Sequence, residues 1–208
     1  MSNNLERTDH MNPTIVNVGY KSTNFWVVSA GRSRMLVDLG WPGTWGLMKS
    51  NLDRMGVPLG EIKCGLATHY HMDHAGLAQN FKQAGVPLLV LEQQVEAIPR
   101  MKGDMKAVDG YVEITLHDNV VISCAQSREW LDRIGISGEV LPTPGHSDDS
   151  VSLLLDDGSA FTGDLTPPML ATEEKAGTVL ASWRLLRDHG ASRVYPGHGP
   201  AGRAIVVP

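Results

Sequence analysis

The sequence lacks the features that mark membrane, secreted or nucleic-acid-binding proteins. No apolar run approaches the roughly 18 residues that a membrane helix needs, and the polar N-terminus has no apolar signal core. Cysteine is scarce, and the two that occur, Cys64 and Cys124, lie far apart, which favours free thiols in a reducing compartment. The net charge is −5 and no Lys/Arg-rich run occurs. We therefore expect a cytoplasmic protein that binds neither membranes nor nucleic acid, although a phosphodiester substrate stays open.

Length and patterning predict one globular domain. With 208 residues, 42% of them hydrophobic, the chain is long enough for a single core. Residues 1–13 show no periodicity and are predicted to form a disordered tail, with the domain over residues 14–208. Strands are predicted over 14–18, 24–29, 34–39, 63–68, 86–92, 111–116, 119–123, 138–143 and 192–196, with a hairpin over 150–163. Helices are predicted over 44–56, 75–85, 126–135 and about 172–190.

Strands and helices are interspersed in both halves of the chain. Two sheets packed face to face, with the helices outside, would bury the apolar runs of both halves. The predicted fold class is therefore α/β (α+β), a four-layer αββα sandwich of two mixed β-sheets with helices on the outer faces.

Three of the eight histidines lie in one six-residue window, together with an aspartate. His69, His71, Asp73 and His74 form the pattern H-x-H-x-D-H between a predicted strand and a predicted helix. A turn of this kind can direct several side chains to one point, as a metal cluster requires. Because clustered polar groups are costly to bury without partners, a metal site explains the pattern better than packing does.

Three more candidate ligands follow predicted strands further along the chain. His146 lies in PGH, Asp164 in TGD and His198 in PGHG, and each of these turns contains glycine, which allows sharp turns and close approach. Five imidazoles and two carboxylates suit two borderline cations such as Zn²⁺ better than Ca²⁺ or Mg²⁺. We expect two zinc ions, with iron or manganese as alternatives.

The motifs HYHMDH, PGH, TGD and PGHG, in this order, resemble the ligand motifs of the metallo-β-lactamase-fold hydrolases. The segments VNVGYKSTNFWVV and MLVDLG are similar to that family's opening strands, so the resemblance extends from about residue 14 to the end. It implies a short, single-domain member of the family with a dinuclear metal site. The implied ligands are His69, His71 and His146 for the first metal, Asp73, His74 and His198 for the second, and Asp164 as a bridge between both.

The resemblance also implies roles around the metals. Asp38, in LVDLG, would support the ligand cluster from behind. Two adjacent ions would hold a hydroxide at neutral pH, which attacks a carbonyl or phosphoryl centre. Asp73 would be the catalytic carboxylate that orients this nucleophile or relays its proton.

Loops over 39–46, 92–110 and 165–172 are expected to form the pocket walls. Trp41 is a possible substrate contact, and Met101 and Met105 are possible lid residues, although core packing would explain all three. Segment 92–110 is predicted to be either a lid or a dimer interface, so both a monomer and a homodimer stay open. Asp148 and Asp149 are predicted to stabilise a turn rather than to contact substrate.

Departures from known members of the family narrow the predicted reaction. Asp164 is followed by LTPPML rather than by the tyrosine usual in acyl-homoserine lactonases, and a bridging aspartate is atypical of class B β-lactamases. His71 stands where flavodiiron reductases usually carry glutamate, and the helical extension of hydroxyacylglutathione hydrolases is not expected. The prediction is a hydrolase of a small ester, thioester or lactone. The alternatives are a phosphodiesterase, a weak β-lactamase, or a non-catalytic metal-binding sensor.

Overall fold

Two mixed β-sheets form the centre of the computed structural model, which describes residues 12–103, 105–106 and 109–204. The first sheet has its strands in chain order: β1 (Thr14–Asn17), β2 (Trp26–Ala30), β3 (Ser33–Val37), β4 (Ile62–Leu66), β5 (Leu88–Leu91) and β6 (Val120–Ile122). The second has the order β11-β10-β9-β8-β7, formed by β7 (Gly138–Pro142), β8 (Val151–Leu155), β9 (Ser159–Gly163), β10 (Arg193–Pro196) and β11 (Arg203–Ala204). The neighbouring strands from β3 through β6 pair in parallel with one another, and so do β9 and β10. The remaining pairs are antiparallel.

Helices cover the outer faces of both sheets. The described α-helices are α1 (Trp45–Arg54), α2 (Met72–Ala75), α3 (Ala78–Gln83), α4 (Ala97–Gly103), α5 (Ser127–Arg133) and α6 (Ala176–Asp188). Of these, α1, α3 and α4 pack on the first sheet and α6 packs on the second. Successive residues of a strand face opposite sides. In β3, Leu36 therefore packs in the cluster with α1 and α3, whereas Met35 and Val37 pack against the second sheet. Val179 and Trp183 of α6 cover the far side of that sheet, which confirms the αββα sandwich.

The strand predicted over 111–116 is wrong. Within the described part of the chain this segment has no strand partner, and side chains of α3 bind its backbone instead. Gln79 Oε1 accepts a hydrogen bond from the Thr115 amide at 2.9 Å, and Lys82 Nζ donates to the Thr115 carbonyl at 2.9 Å. Because these side chains satisfy the backbone groups that a sheet would otherwise pair, the alternating pattern does not produce a strand here.

The helix predicted over 75–85 is divided into α2 and α3, and α2 begins inside the H-x-H-x-D-H motif. The division lies at Gly76, whose amide donates to the Gly40 carbonyl at 2.8 Å rather than continuing a regular helix. A Cβ atom at Gly76 would overlap Pro42, so only glycine allows the loop after β3 to approach this closely.

Three further expectations concern the ends, the thiols and the membrane. Of the predicted tail over 1–13, residues 1–11 lie outside the described residues. Cys64 is buried, Cys124 is half-buried and both thiols are free. Among the helices described, none has the length and apolar character needed to cross a bilayer.

Candidate metal centre

The seven predicted ligands meet at one edge of the sandwich, where strands from both sheets end. His69, His71, Asp73 and His74 follow β4 of the first sheet. The others follow strands of the second sheet, namely His146 after β7, Asp164 after β9 and His198 after β10. Residues that are far apart in the chain are thereby brought within a few ångströms of one another.

Three imidazoles form what we call the first triad: His69, His71 and His146. His71 Nδ1 lies 3.1 Å from His69 Nε2 and 3.0 Å from His146 Nε2. His69 is buried, whereas His71 and His146 are partly accessible to solvent. The three nitrogens form one of the groups whose spacing suits a metal ion.

One carboxylate and two imidazoles form the second triad: Asp73, His74 and His198. Asp73 Oδ2 lies 3.3 Å from His74 Nε2 and 3.2 Å from His198 Nε2. His74 is completely buried and His198 is partly exposed, so this triad also has one side open to solvent.

Asp164 faces both triads. Its Oδ1 lies 3.3 Å from His74 Nε2 and 3.4 Å from His198 Nε2, whereas its Oδ2 lies 3.8 Å from His146 Nε2. Each oxygen is therefore directed to a different triad, as a bridging ligand requires.

The geometry fits divalent cations. Nitrogen and oxygen ligands of a tetrahedral zinc ion lie roughly 2.0–2.1 Å from it, and hence about 3.4 Å from one another. The separations within the two triads are close to this value. Among the described residues, buried His74 Nε2 and Asp164 Oδ1 have no hydrogen-bond partner, although such groups are rarely left unsatisfied. A cation between them would satisfy both atoms.

Buried polar groups behind the ligands fix the ring orientations. Asp38 Oδ2 lies 2.9 Å from His74 Nδ1, and Asp38 Oδ1 accepts a hydrogen bond from the Thr68 amide at 2.8 Å. Asp38 has a φ of 64°, a left-handed value uncommon outside glycine, so the fold holds this residue in a constrained conformation. His198 Nδ1 donates to the Ser22 carbonyl at 2.6 Å. In His74 and His198 the Nε2 atom is thereby left to face the metal site.

The carboxylates and His74 shift one another's pKa in the metal-free protein. Burial by itself would lower the pKa of His74, but Asp38, Asp164 and Asp73 raise it well above the ordinary value. Burial would raise the pKa of Asp73, but the charge of His74, whose Nε2 lies 3.3 Å away, lowers it to about 2. The pKa of Asp164 is likewise lowered, mainly by His74, against the effect of burial. The second triad therefore keeps its carboxylates ionised around a protonated histidine.

The first triad has the opposite character. Burial, followed by the nearby histidine charges, lowers the pKa of His69 well below the ordinary histidine value. Burial also lowers the pKa of His146, and the charge of Asp164 only partly offsets this effect. These two imidazoles are therefore neutral at pH 7, with lone pairs available to a metal.

A cleft of about 520 Å³ opens beside the first triad. Its lining includes His71, Arg100, Met101 and Lys175. Of the three residues predicted for a substrate loop, Met101 lines this cleft although it is only 2% exposed, and Met105 packs against the core next to it.

Trp41, the third predicted contact, lies behind the second triad. Its indole Nε1 donates to Thr23 Oγ1 at 3.0 Å, and this hydroxyl donates to Asp73 Oδ2 at 3.2 Å. Trp41 therefore supports a ligand in this structure, and its contact with substrate stays a prediction.

Sequence reasoning missed several residues that brace the site. Thr23 and Thr68 are buried, and each hydrogen-bonds a carboxylate of the site, Asp73 and Asp38 respectively. Asp149, predicted only as a turn residue, accepts a hydrogen bond from the Tyr70 amide at 2.8 Å and so ties the histidine motif to the second sheet. Of these residues, only Thr68 could have been identified from the sequence, because it directly precedes the first histidine of the motif.

Known proteins resemble this chain in sequence and in structure. The sequence model of one family, described as the Metallo-beta-lactamase superfamily, matches residues 18–198. An atrochrysone carboxyl ACP thioesterase from Claviceps purpurea is 29% identical over 190 residues, which cover 86% of this chain and 52% of the relative. A probable metallo-hydrolase from Methanocaldococcus jannaschii is 24% identical over 195 residues, which cover 88% of this chain and 90% of the relative.

This chain spans about half the length of two relatives: 52% of the Claviceps thioesterase and 50% of the lactamase-like protein GME11357 from Pestalotiopsis microspora. Among solved structures, a protein crystallised in a di-iron-bound form matches with a TM-score of 0.68 at 22% identity, covering 93% of this chain and 94% of that one. This likeness shows the shared fold.

Proposed function

The chain belongs to the metallo-beta-lactamase superfamily, and we propose that it is a dinuclear zinc hydrolase that cleaves a small ester, thioester or lactone. The observation that carries this proposal is the complete ligand set, in which two triads of spacing suited to a metal share Asp164. A binding module would need neither two adjacent sites nor a bridging carboxylate. The cleft beside His71 gives a substrate direct access to the first triad.

The residues of the site have distinct roles in this reaction. When bound, the two ions supply Lewis acidity and a hydroxide at neutral pH. The neutral imidazoles of His69 and His146 present lone pairs without first losing a proton. Asp73, whose pKa is about 2, stays ionised and orients the attacking water as a hydrogen-bond acceptor rather than storing its proton.

The relatives favour a carboxylic substrate, and the cleft has room for one of modest size. A volume of about 520 Å³ lies within the range usual for small-molecule sites. The Claviceps relative is named a thioesterase, which supports a thioester as the first substrate class to test. Zinc is the proposed metal because imidazole and carboxylate ligands suit it. Iron is the second candidate because a structural neighbour was solved with two irons.

A hydrolysis panel on zinc-reconstituted protein tests the proposal. It contains an aryl ester, an acyl thioester, lactones, a phosphodiester and a chromogenic β-lactam. Asp164→Ala, which removes the bridging ligand, is the control, with circular dichroism to verify folding. We expect turnover of one carboxylic class, reduced at least about 10³-fold in the variant.

Two outcomes would overturn the proposal. Activity on the phosphodiester alone would replace the substrate class and keep the metal site. Two bound metals with no turnover of any substrate would favour the metal-binding sensor.

A further inference from the structure

We propose that Thr68 positions His69, a ligand of the first triad, and that its hydroxyl links this triad to Asp38, which contacts the second triad directly. The direct contact is to His74 of the second triad, at 2.9 Å. The indirect contact passes through Thr68 Oγ1 to His69 of the first triad. Thr68 is on this reading a positioning residue for the first metal, and a single buried carboxylate is linked to both metal sites.

The direction of the hydrogen bonds follows from the number of protons available. Thr68 Oγ1 lies 2.9 Å from Asp38 Oδ1 and 3.2 Å from His69 Nδ1. A hydroxyl has one proton to donate, and an ionised carboxylate can only accept. Thr68 therefore donates to Asp38 and accepts from His69 Nδ1–H. This bond selects the His69 tautomer whose free lone pair is on Nε2, the atom that faces His71.

The surrounding packing holds Thr68 in the required conformation. The residue is 1% exposed, and its carbonyl accepts a hydrogen bond from the Val151 amide at 2.8 Å. A Cβ atom at Gly163 would overlap the Thr68 hydroxyl, and Gly163 has a φ of 52° that other residues rarely adopt. The end of β9 therefore closes tightly over this side chain, which leaves the hydroxyl little freedom to turn away from Asp38 and His69.

The two sites should consequently respond differently to substitution. Loss of the Thr68 hydroxyl affects the first triad, whereas loss of the Asp38 charge affects both. The inference rests on the metal site of the proposed function and is independent of the bond that the enzyme cleaves.

The test compares Thr68→Val, which keeps the side-chain shape, with Thr68→Ser, which keeps the hydroxyl. Thr143→Val is the matched control, because Thr143 is also fully buried and its hydroxyl pairs with Ser152 Oγ at 2.7 Å outside the metal site. Stepwise zinc affinity is measured by competition with a chromophoric chelator. His71→Ala and His198→Ala assign each binding step to a triad. Long-range ¹H–¹⁵N spectra of the histidine rings, with and without zinc, report the tautomer of His69.

We expect Thr68→Val to weaken the step of the first triad about 10- to 100-fold, the range typical of groups that orient metal ligands, and to change the His69 tautomer. Thr68→Ser and Thr143→Val should retain both properties. Wild-type affinity and an unchanged His69 tautomer in Thr68→Val would overturn the inference, as would equal damage in Thr68→Ser. If the wild-type protein binds no zinc, the metal proposal fails, while the tautomer in the metal-free spectra still decides the role of Thr68.

Discussion

The two triads are built from the same kinds of loop but hold together for different reasons. In the first, burial keeps His69 and His146 neutral, so no ion pair holds these two imidazoles in place without a metal. The second surrounds the buried cation of His74 with Asp38, Asp73 and Asp164, so ion pairs maintain it without a metal. The first triad is therefore ready to accept a metal, whereas the second must release a proton from His74 before a metal can replace it.

The largest expected effect comes from removing the cation of the second triad. His74→Ala leaves buried carboxylates without their partner, so we expect the metal-free protein to lose about 3–5 kcal/mol of unfolding free energy. His71→Ala should leave the stability of the metal-free protein nearly unchanged, because His71 is exposed. Denaturant unfolding in the presence of a chelator measures both. Equal losses in the two variants would contradict the contrast between the triads.

The second largest effect is expected in the pH dependence of stability, which should differ between the two triads. The folded-state pKa of His69 is lowered, so its contribution is complete above the unfolded value of 6.5 and is lost as the pH falls. The folded-state pKa of His74 is raised, so its contribution is complete below 6.5 and is lost as the pH rises through the raised value.

In chelator-treated protein, His69→Gln should therefore flatten the decline of stability between pH 7 and pH 5, and His74→Gln should flatten the decline on the alkaline side. Unfolding free energies of both variants and the wild type, measured from pH 5 into the alkaline range, check the prediction. Identical pH profiles in the two variants would refute it.

Smaller effects should follow from residues that brace one triad each. Thr23→Val removes a hydrogen bond to Asp73, and Asp149→Ala removes one to the backbone of the histidine motif at Tyr70. We expect each to weaken mainly one zinc-binding step by about tenfold, the second triad for Thr23→Val and the first for Asp149→Ala. Chelator competition measures the two steps. If either variant weakened both steps alike, the bracing would not be specific to one triad.

The smallest effect is expected for Trp41→Phe, which keeps an aromatic ring against the core and removes the bond to Thr23. Loss of one neutral hydrogen bond is worth about 1 kcal/mol, so zinc affinity of the second triad should fall no more than about fivefold, with KM unchanged. Steady-state kinetics on the active substrate checks this. A raised KM with normal zinc affinity would instead support the substrate contact predicted from the sequence.

Prediction from the sequence worked best where a local pattern reports the environment directly. The run RMLVDL, bounded by polar turns, predicts the strand that the structure has as β3 (Ser33–Val37). Prediction from the sequence failed over 111–116, where the same kind of pattern occurs. There the side chains of Gln79 and Lys82, both on α3, form hydrogen bonds with the backbone. Periodicity describes which side chains are apolar and contains no information on which partner binds the backbone.

The identities of the candidate ligands were contained in the sequence, because histidines and aspartates placed in turns after strands form motifs that are local in the chain. How they are arranged was decided by the tertiary structure. Only the meeting of β4 with β7, β9 and β10 directs the two oxygens of Asp164 to different triads and closes Gly163 over Thr68. Hydrogen bonds and charges act over a few ångströms, so the tautomers and pKa values of the ligands depend on neighbours that only folding brings together.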